Sequence, residues 1–353
     1  MEPLVIEGLG VLCACGRGIE KFDRALRAGW VAPQESVDGR LAYRVNAHDL
    51  TDREVLKKAR RADRFSKMTV LAAHDALVDG GFQVDNIRQT GIIVATAFGA
   101  HSSIFRFLDD IIDYGELNVS PTTFAHTLHN AAASYVATVL GSRGPTITIT
   151  QFEFVFHQAL QLAYAWLVEK RVERVLVGVT DECSPAMEYI CEEKLALADD
   201  GKMKPLSCQE EPKVVPGEGS AFFLLSLDTG RKKYGSIAEI SVGLDRPVPD
   251  DVDLSLIGSN AMAGSEKVYA KVLQRGVDVA AYSNIYGGLM AGAAFECVAS
   301  ALMLKRQVRY GTSNSGKPKD WRTIDTTIAQ DLNAIRCVAH NCTGDAAFIR
   351  ITK

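Results

Sequence analysis

Short apolar segments alternate with amphipathic segments along this chain, and that alternation restricts the possible folds more than any other feature. Residues 4–12 have the pattern of a strand, and residues 64–80 follow the 3.6-residue period of a helix. The same patterns predict further strands over 91–98, 146–150, 175–179 and 221–227, and further helices over 18–28, 131–140 and 157–170. Strands that alternate with helices form parallel sheets covered on both faces, so the sequence predicts an α/β fold.

A second, shorter cycle of the same kind follows. The patterns predict strands over 237–242, 254–257, 277–283, 336–339 and 346–351, and helices over 265–274 and 289–305. No repeat is visible residue by residue, and no segment has the composition of a flexible linker. Two closely packed α/β halves are therefore expected.

The composition argues against several functions. Hydrophobic residues make up 47% of the chain and charged residues 23%, as in a soluble globular protein. With a net charge of −4 and no Lys/Arg block that stands out, nucleic-acid binding is not expected. Apolar runs are too short to cross a membrane, and the eight cysteines lack the paired spacing of a zinc site. The sequence predicts a cytoplasmic protein with reduced cysteines and no metal.

Three segments carry a resemblance to a known family. Residues 120–133 and 140–150 resemble the stretch that leads to the nucleophile of β-ketoacyl synthases. Residues 216–221, Pro-Gly-Glu-Gly-Ser-Ala, resemble the GEGA element of that family, and residues 287–305 resemble the segment around one catalytic histidine. The segments keep the family's order and spacing, so the chain is identified as a member of the β-ketoacyl synthase family.

The resemblance implies a thiolase-like fold with five layers, α-β-α-β-α, built from two related halves. It places residues 1–232 in the N-terminal half, with the dimer interface and the nucleophile turn, and residues 233–353 in the C-terminal half. It also implies an active site deep in the protein near the dimer interface, and no cofactor.

The nucleophile of the family is missing from this chain. The family places a cysteine in the turn between a strand and a helix, where a helix N-terminus favours the thiolate. Counted from Gly144-Pro145, that position is Glu153. A carboxylate cannot form the acyl thioester, so the chain is expected to lack condensing activity.

Other catalytic positions are altered as well. Gly288 stands where the family has a histidine, and Ser283 where it has a lysine. The position of a second family histidine falls near Ser259 or Asn260, and this chain has no histidine there. The C-terminal glycine-rich loop is altered around Cys342. We expect no intact catalytic set.

One histidine beside the altered turn leaves two interpretations open. His157 lies four residues after Glu153, so a helix through both residues would place them on one face. The pair would then act as acid and base. Alternatively, Glu153 is a carboxylate at a helix start and His157 a neighbouring polar residue.

The resemblance also suggests residues that act on the acyl chain and the interface. Phe98 matches a position that lines the family's acyl pocket, and we assign Thr123 and Phe124 with it to a gate on chain length. The family's dimer interface corresponds to a segment that includes Ser120, Pro121, His126, His129 and Asn130. Packing or hydrogen bonding is the expected role of the two histidines.

Family members without a nucleophile are chain length factors. The resemblance therefore implies a subunit that pairs with an active ketosynthase, as a heterodimer or heterotetramer, and meets an acyl carrier protein. The usual replacement for the cysteine is glutamine, and the glutamate here departs from that pattern. Alternatives are a malonyl-carrier-protein decarboxylase, or an acyltransferase or hydrolase that uses Cys183 or Cys342. The product, whether polyketide, polyene or fatty acid, stays open.

Overall fold

The fold is described from a computed structural model that covers residues 1–36, 38–84, 87–195, 197–198, 200–206, 214–244, 251–258, 265–312, 314, 318, 320–341 and 343–353. The α-helices are α1 (Ile19–Ala28), α2 (Arg64–Asp79), α3 (His101–Tyr114), α4 (Pro121–Thr127), α5 (Ala131–Leu140), α6 (Val155–Val168), α7 (Pro185–Lys194), α8 (Ser265–Val272), α9 (Ser283–Tyr286) and α10 (Ala293–Arg306). The strands are β1 (Leu4–Cys13), β2 (Gly16–Arg17), β3 (Gln34–Glu35), β4 (Leu41–Ala42), β5 (Gly91–Thr96), β6 (Thr146–Thr150), β7 (Arg174–Asp181), β8 (Gly219–Ser226), β9 (Ser236–Leu244), β10 (Leu254–Ile257), β11 (Val279–Ala280), β12 (Val308–Arg309), β13 (Ile328–Ala329), β14 (Ala334–His340) and β15 (Ala346–Thr352).

Ten of the eleven strands of the main sheet form two five-strand units with the same topology, and β2 pairs with β1 beside them. The order of the ten strands is β11-β10-β14-β15-β9-β1-β8-β7-β5-β6. Numbered by chain order within each unit, both units have the order 3-2-4-5-1. In both, the second, third and fourth strands are parallel, and the fifth is antiparallel to its neighbours. This repeat confirms the predicted α/β fold built from two related halves.

Helices cover the sheet in layers. α6 and α10 lie in the middle, because each contacts strands of both units and contributes to the largest apolar cluster. α2 and α5 cover the other face of the first unit, and α8 covers the other face of the second. The order of layers is therefore α-β-α-β-α, as predicted from the family resemblance.

Two glycines bring α2 close to the first strand. A Cβ atom at Gly8 would lie 2.2 Å from the carbonyl oxygen of Ala76, and one at Gly10 would lie 2.0 Å from that of Ala72. These distances are far below van der Waals contact, so any side chain there would displace α2. At the start of α2, Asp63 accepts a hydrogen bond from the Ser66 N–H and caps the helix.

Some sequence predictions of secondary structure were wrong in detail. The strand predicted over 277–283 is reduced to β11, because α9 begins at Ser283. The helix predicted from residue 289 begins at Ala293, and the four preceding residues form a loop. Helices α3, α4 and α7 were not predicted.

Two further predictions concern the whole chain: where its two halves divide, and whether any of its helices spans a membrane. The division of the chain after residue 232 stays a prediction. Within the described ranges, no helix is long and apolar enough to span a membrane.

Candidate functional site

The turn between β6 and α6 holds Glu153 just before a helix. β6 ends at Thr150 and α6 begins at Val155, two residues earlier than the predicted start at His157. Phe154 takes a left-handed backbone conformation with φ 57° and ψ 20°. That conformation is uncommon for an aromatic residue and costs conformational energy. Glu153 therefore lies where the unpaired N–H groups of a first helical turn favour a negative charge.

Glu153 lines a cavity of about 340 Å³, which we call the polar cavity. His157 of α6 and His340 at the end of β14 line the same cavity, as does Lys267 of α8. The loop before α10 forms another wall. The polar cavity therefore gathers a carboxyl group, two imidazoles and an amine from both five-strand units.

His157 is buried in the first turn of α6. Neither ring nitrogen has a hydrogen-bond partner in the part of the chain that the structure describes. Burial lowers the pKa of His157 to about 3, so the ring is neutral at pH 7. Its ring meets that of Phe154 edge-on, with centroids 5.6 Å apart. The helical pairing of His157 with Glu153 is absent because Glu153 precedes the helix, but both residues line the polar cavity.

His340 lines the polar cavity but was not predicted from the sequence. Its ring packs edge-on against Tyr269, with centroids 5.2 Å apart. Burial lowers the pKa of His340, whereas a contact with the Asn341 carbonyl oxygen and the negative charge of Glu153 act in the opposite direction. Glu153 and His340 are therefore electrostatically linked. Because they lie on different five-strand units, only the tertiary fold brings them together.

A second cavity of about 220 Å³ adjoins the first, and we call it the apolar cavity. Phe98 lines it, and its ring lies 5.1 Å from that of Phe152. Leu289 and Met290 line both cavities, so this loop forms a wall between them. The other apolar lining side chains come mainly from α7 and include Met187, Ile190 and Leu195.

The three positions that the family resemblance assigns to lost catalytic residues do not share one cavity. Gly288 lines the apolar cavity, and its N–H donates to the Val215 carbonyl oxygen at 2.8 Å. Ser283 is buried at the start of α9 and lines neither cavity. Glu153 lines the polar cavity. The altered positions are thus distributed over two neighbouring cavities and the core beside them. Ser259 and Asn260 lie outside the described residues.

Two consecutive carboxyl groups at the end of β7 line the apolar cavity, and sequence reasoning missed both. Asp181 accepts hydrogen bonds from the Thr96 hydroxyl, the Ala97 N–H and the Ala291 N–H, at 2.9, 2.8 and 3.2 Å. It therefore connects the two units. Burial raises the pKa of Asp181 to about 6 and that of Glu182 to about 7. In the sequence, these two residues follow the apolar run of β7 and belong to no motif that would indicate a site.

The segment assigned to the interface lies on the surface. Ser120 caps α4 by accepting from the Thr123 N–H at 3.4 Å, and Pro121 begins the helix. The Nε2 atom of His126 lies 3.1 Å from the Tyr135 hydroxyl oxygen, within hydrogen-bonding distance. His129 packs on Gly99, where a Cβ atom would lie 2.0 Å from the ring.

The assigned gate is split by the fold. Phe98 lines the apolar cavity, whereas Thr123 and Phe124 line neither cavity. Phe124 is half exposed and packs against Phe107 of α3, with ring centroids 5.5 Å apart. Asn130 is exposed just before α5.

Around α3 and α4 the chain exposes many apolar side chains, which we call the α3–α4 face. Its members are Phe105, Leu108, Ile112, Tyr114, Leu117, Phe124 and Leu128. Strand β6, at one edge of the sheet, is half or fully exposed along its length and contains only threonine and isoleucine. Uncharged edge strands and apolar patches of this kind are typical of surfaces that another chain covers.

A separate surface is basic. Arg53, Lys57, Lys58, Arg60 and Arg61 are exposed in and around the 3-10 helix Val55–Ala59. The prediction that no Lys/Arg block stands out was wrong here, because four of these cations lie within residues 57–61 and the fold leaves them exposed on one surface. The surface favours acidic partners.

The proposed alternative nucleophiles gain no support. Cys183 is buried, and burial together with the nearby Glu188 and Glu218 carboxylates raises the pKa of its thiol. A thiol in that environment is a poor nucleophile. Cys342 lies outside the described residues. Nor do the described residues contain a group of three or more side chains that could hold a metal ion.

Sequence comparisons connect the chain to one enzyme family. Residues 1–229 match the family model described as "Beta-ketoacyl synthase, N-terminal domain". A 3-oxoacyl-[acyl-carrier-protein] synthase 2 from Vibrio harveyi is 26% identical over 222 residues, which are 59% of this chain and 50% of that protein. Nodulation protein E from Rhizobium leguminosarum bv. trifolii is 25% identical over 301 residues, covering 80% of this chain and 73% of that protein. The chain thus spans about half the length of the Vibrio harveyi relative.

Solved structures share the whole fold. "The ishigamide ketosynthase/chain length factor" superposes with a TM-score of 0.84 at 16% identity, covering 100% of this chain and 99% of that chain. A type II PKS acyl-carrier protein in complex with its ketosynthase bound to the hexaketide matches with a TM-score of 0.79 at 18% identity, covering 99% of each chain. Likenesses at these identities show the fold alone.

Proposed function

Because the chain belongs to the β-ketoacyl synthase family, we propose that it is a cytoplasmic subunit without condensing activity of its own. In this proposal it is a chain length factor, which pairs with an active β-ketoacyl synthase and helps to set the length of a polyketide or related acyl chain. The observation that carries the proposal is Glu153 in the nucleophile turn. The strained turn, the helix start and the cavity are present, but the side chain there cannot form a thioester.

Pairing is supported by the α3–α4 face. Its apolar side chains, together with the uncovered edge of β6, leave an extensive apolar surface in contact with water. Covering such a surface with a partner is favourable by about 25 cal/mol for each Å² of apolar area removed from water. A chain that keeps this surface without a nucleophile acts through a partner that has one.

A role in chain length is supported by Phe98. Its aromatic ring forms part of the wall of the apolar cavity and packs against Phe152. Shortening the side chain enlarges the space available to an apolar chain. We therefore assign the gate to Phe98, and place Thr123 and Phe124 at the interface instead.

An acyl carrier protein is the second proposed partner. The cations around Val55–Ala59 offer a docking surface for an acidic protein, and charge pairs of this kind mainly raise the association rate. Replacing Lys57 and Arg61 with glutamate is expected to weaken carrier-protein binding. The matched variant Lys170→Glu/Arg171→Glu, on another surface, leaves it unchanged.

Co-expression tests the central proposal. We expect this chain and the ketosynthase encoded beside it to copurify in equal amounts and to make a product of defined length. Phe98→Ala is expected to lengthen the product, whereas Phe82→Ala, a half-buried phenylalanine elsewhere, does not. The proposal would be contradicted if this chain does not copurify with the ketosynthase, or if Phe98→Ala leaves the length of the product unchanged.

One observation favours a second candidate, decarboxylation of a malonyl thioester. In this reaction the bond to the carboxylate carbon breaks and carbon dioxide leaves. The electron pair moves to the thioester oxygen, and a proton then reaches the carbon. Neutral His157 can donate a hydrogen bond to the developing oxyanion, and His340 lies in the same cavity.

The two candidates differ in what the chain does alone. Release of carbon dioxide from malonyl-carrier protein by the isolated chain, abolished in His157→Leu, would establish the second candidate. No release by the isolated chain would exclude it and leave the first in place.

A further inference from the structure

The charges beside the α3–α4 face indicate which partner can cover it. Helix α3 presents three strips of side chains. Phe107 faces α4, while Phe105, Leu108 and Ile112, at helical positions i, i+3 and i+7, form an exposed apolar strip. Asp109 is also exposed and borders this strip. It begins an acidic strip, because Asp113 lies one helical turn further along and Asp110 lies beside them.

The segment that contains the acidic strip has an excess of negative charge. Residues 98–130 contain one arginine and four carboxylates, a net charge of −3, compared with −4 for the entire chain. The carboxylates are those of Asp109, Asp110, Asp113 and Glu116. In the described structure none of the four takes part in an ion pair.

Helix stability does not explain these carboxylates. Asp110 and Asp113 lie near the C-terminal end of α3, where the partial negative charge of the helix disfavours anions. No basic residue occupies the last turn to compensate. The acidic strip is therefore expected to destabilise α3. An apolar face that is bordered by unpaired negative charge is suited to bind a surface that carries positive charge.

We infer that the acidic strip makes the α3–α4 face select a ketosynthase subunit with lysine or arginine at the matching positions, and reject a second copy of this chain. The inference rests on the proposed function, since it specifies the partner at the same interface. Two copies related by a two-fold axis bring the same patch together. Eight carboxylates and two arginines would then share one interface, and like charges at an interface suppress association.

Self-association of the purified full chain tests the repulsion without a partner. We measure it by sedimentation at low salt (about 50 mM) and at high salt (about 1 M), where the Debye length falls to roughly 3 Å. The association constant of the wild type is expected to rise about tenfold with salt. Asp109→Asn/Asp113→Asn is expected to self-associate about tenfold more strongly at low salt, with little further salt dependence.

A matched control removes two carboxylates from elsewhere. Glu173 and Asp331 have side chains 94% and 82% exposed on other elements. Glu173→Gln/Asp331→Asn changes the net charge equally and is expected to behave like the wild type. A wild-type dimer of equal strength at both salt concentrations, or equal effects of the two variants, would overturn the inference.

Binding to the neighbouring ketosynthase tests the attraction. Asp109→Lys/Asp113→Lys is expected to lower the association rate about tenfold, and Glu173→Lys/Asp331→Lys is not. If the ketosynthase binds wild type and Asp109→Lys/Asp113→Lys equally well, the charge inference is wrong while the proposed function stands. If the ketosynthase does not bind the wild type at all, the proposed function fails, and sedimentation still decides whether the acidic strip opposes self-association.

Discussion

The polar and apolar cavities share one wall but hold opposite kinds of buried ionisable group. The loop with Leu289 and Met290 separates them. On the polar side the group is His157, whose pKa burial lowers to about 3, and on the apolar side it is Asp181, whose pKa burial raises to about 6. Burial disfavours the charged form in both cases. Stability is therefore expected to fall when His157 is protonated at acidic pH, and to fall also when Asp181 ionises as the pH rises toward neutrality.

The largest expected effect concerns His157. The folded-state pKa of His157, about 3, lies below the unfolded value of 6.5. The contribution of this residue to the free energy of unfolding is therefore complete above pH 6.5 and is lost as the pH falls toward 3. Between pH 7 and pH 4 this group lowers the free energy of unfolding by about 3 kcal/mol. His157→Leu is expected to remove this pH-dependent decrease in the free energy of unfolding. Urea unfolding at a series of pH values measures the decrease.

A surface histidine provides the control for this experiment. The side chain of His48 is 73% exposed, and His48→Leu is expected to keep the pH dependence of the wild type. If His157→Leu loses stability in acid as steeply as the wild type, the polar cavity does not hold His157 in its neutral form.

The second effect has the opposite sign and concerns Asp181. Its folded-state pKa of about 6 lies above the unfolded value of 3.8, so stability falls as pH rises from about 4 to 6. About 2 kcal/mol is expected over that range, and Asp181→Asn should remove it. The same urea series measures this, with the exposed acceptor Asp228→Asn as control. If the stability of Asp181→Asn falls between pH 4 and pH 6 as steeply as that of the wild type, the contrast between the cavities is lost.

The smallest effect tests the link between Glu153 and His340. The negative charge of Glu153 raises the pKa of His340, so Glu153→Gln is expected to lower it further. Titration of the His340 ring by NMR measures the change. Glu169→Gln, an exposed carboxylate on another surface, should leave the titration in place. A His340 pKa that does not move would mean that the two groups act independently.

Local sequence patterns predicted much of the fold, because they report which face of each element is buried. The predicted bounds 131–140, 146–150 and 254–257 coincide with α5, β6 and β10. α3 was missed because apolar residues occupy both its packed and its exposed sides. The helix predicted from 289 starts later because its first apolar residues line the cavities instead.

The site was less accessible to sequence reasoning. Glu153 could be located because a local turn motif defines its position, and the structure places it in a strand–turn–helix. His340, Asp181 and Glu182 have no such motif. They reach the cavities only because strands of both units end at the same place, which is a property of the sheet order and not of any one segment.

The position of β1 in the sheet has a consequence for how the chain is made. All ten residues of Leu4–Cys13 are buried, and β2 pairs only with the last two of them. The main strand partners are β8, which begins at Gly219, and β9, which begins at Ser236. The ribosome therefore releases a strand that is apolar except for Glu7 long before β8 or β9 exists. Pairing between segments so distant in the chain is slow, and unpaired apolar strands aggregate. We therefore expect β1 to be prone to contact other chains until most of the N-terminal half has been synthesised.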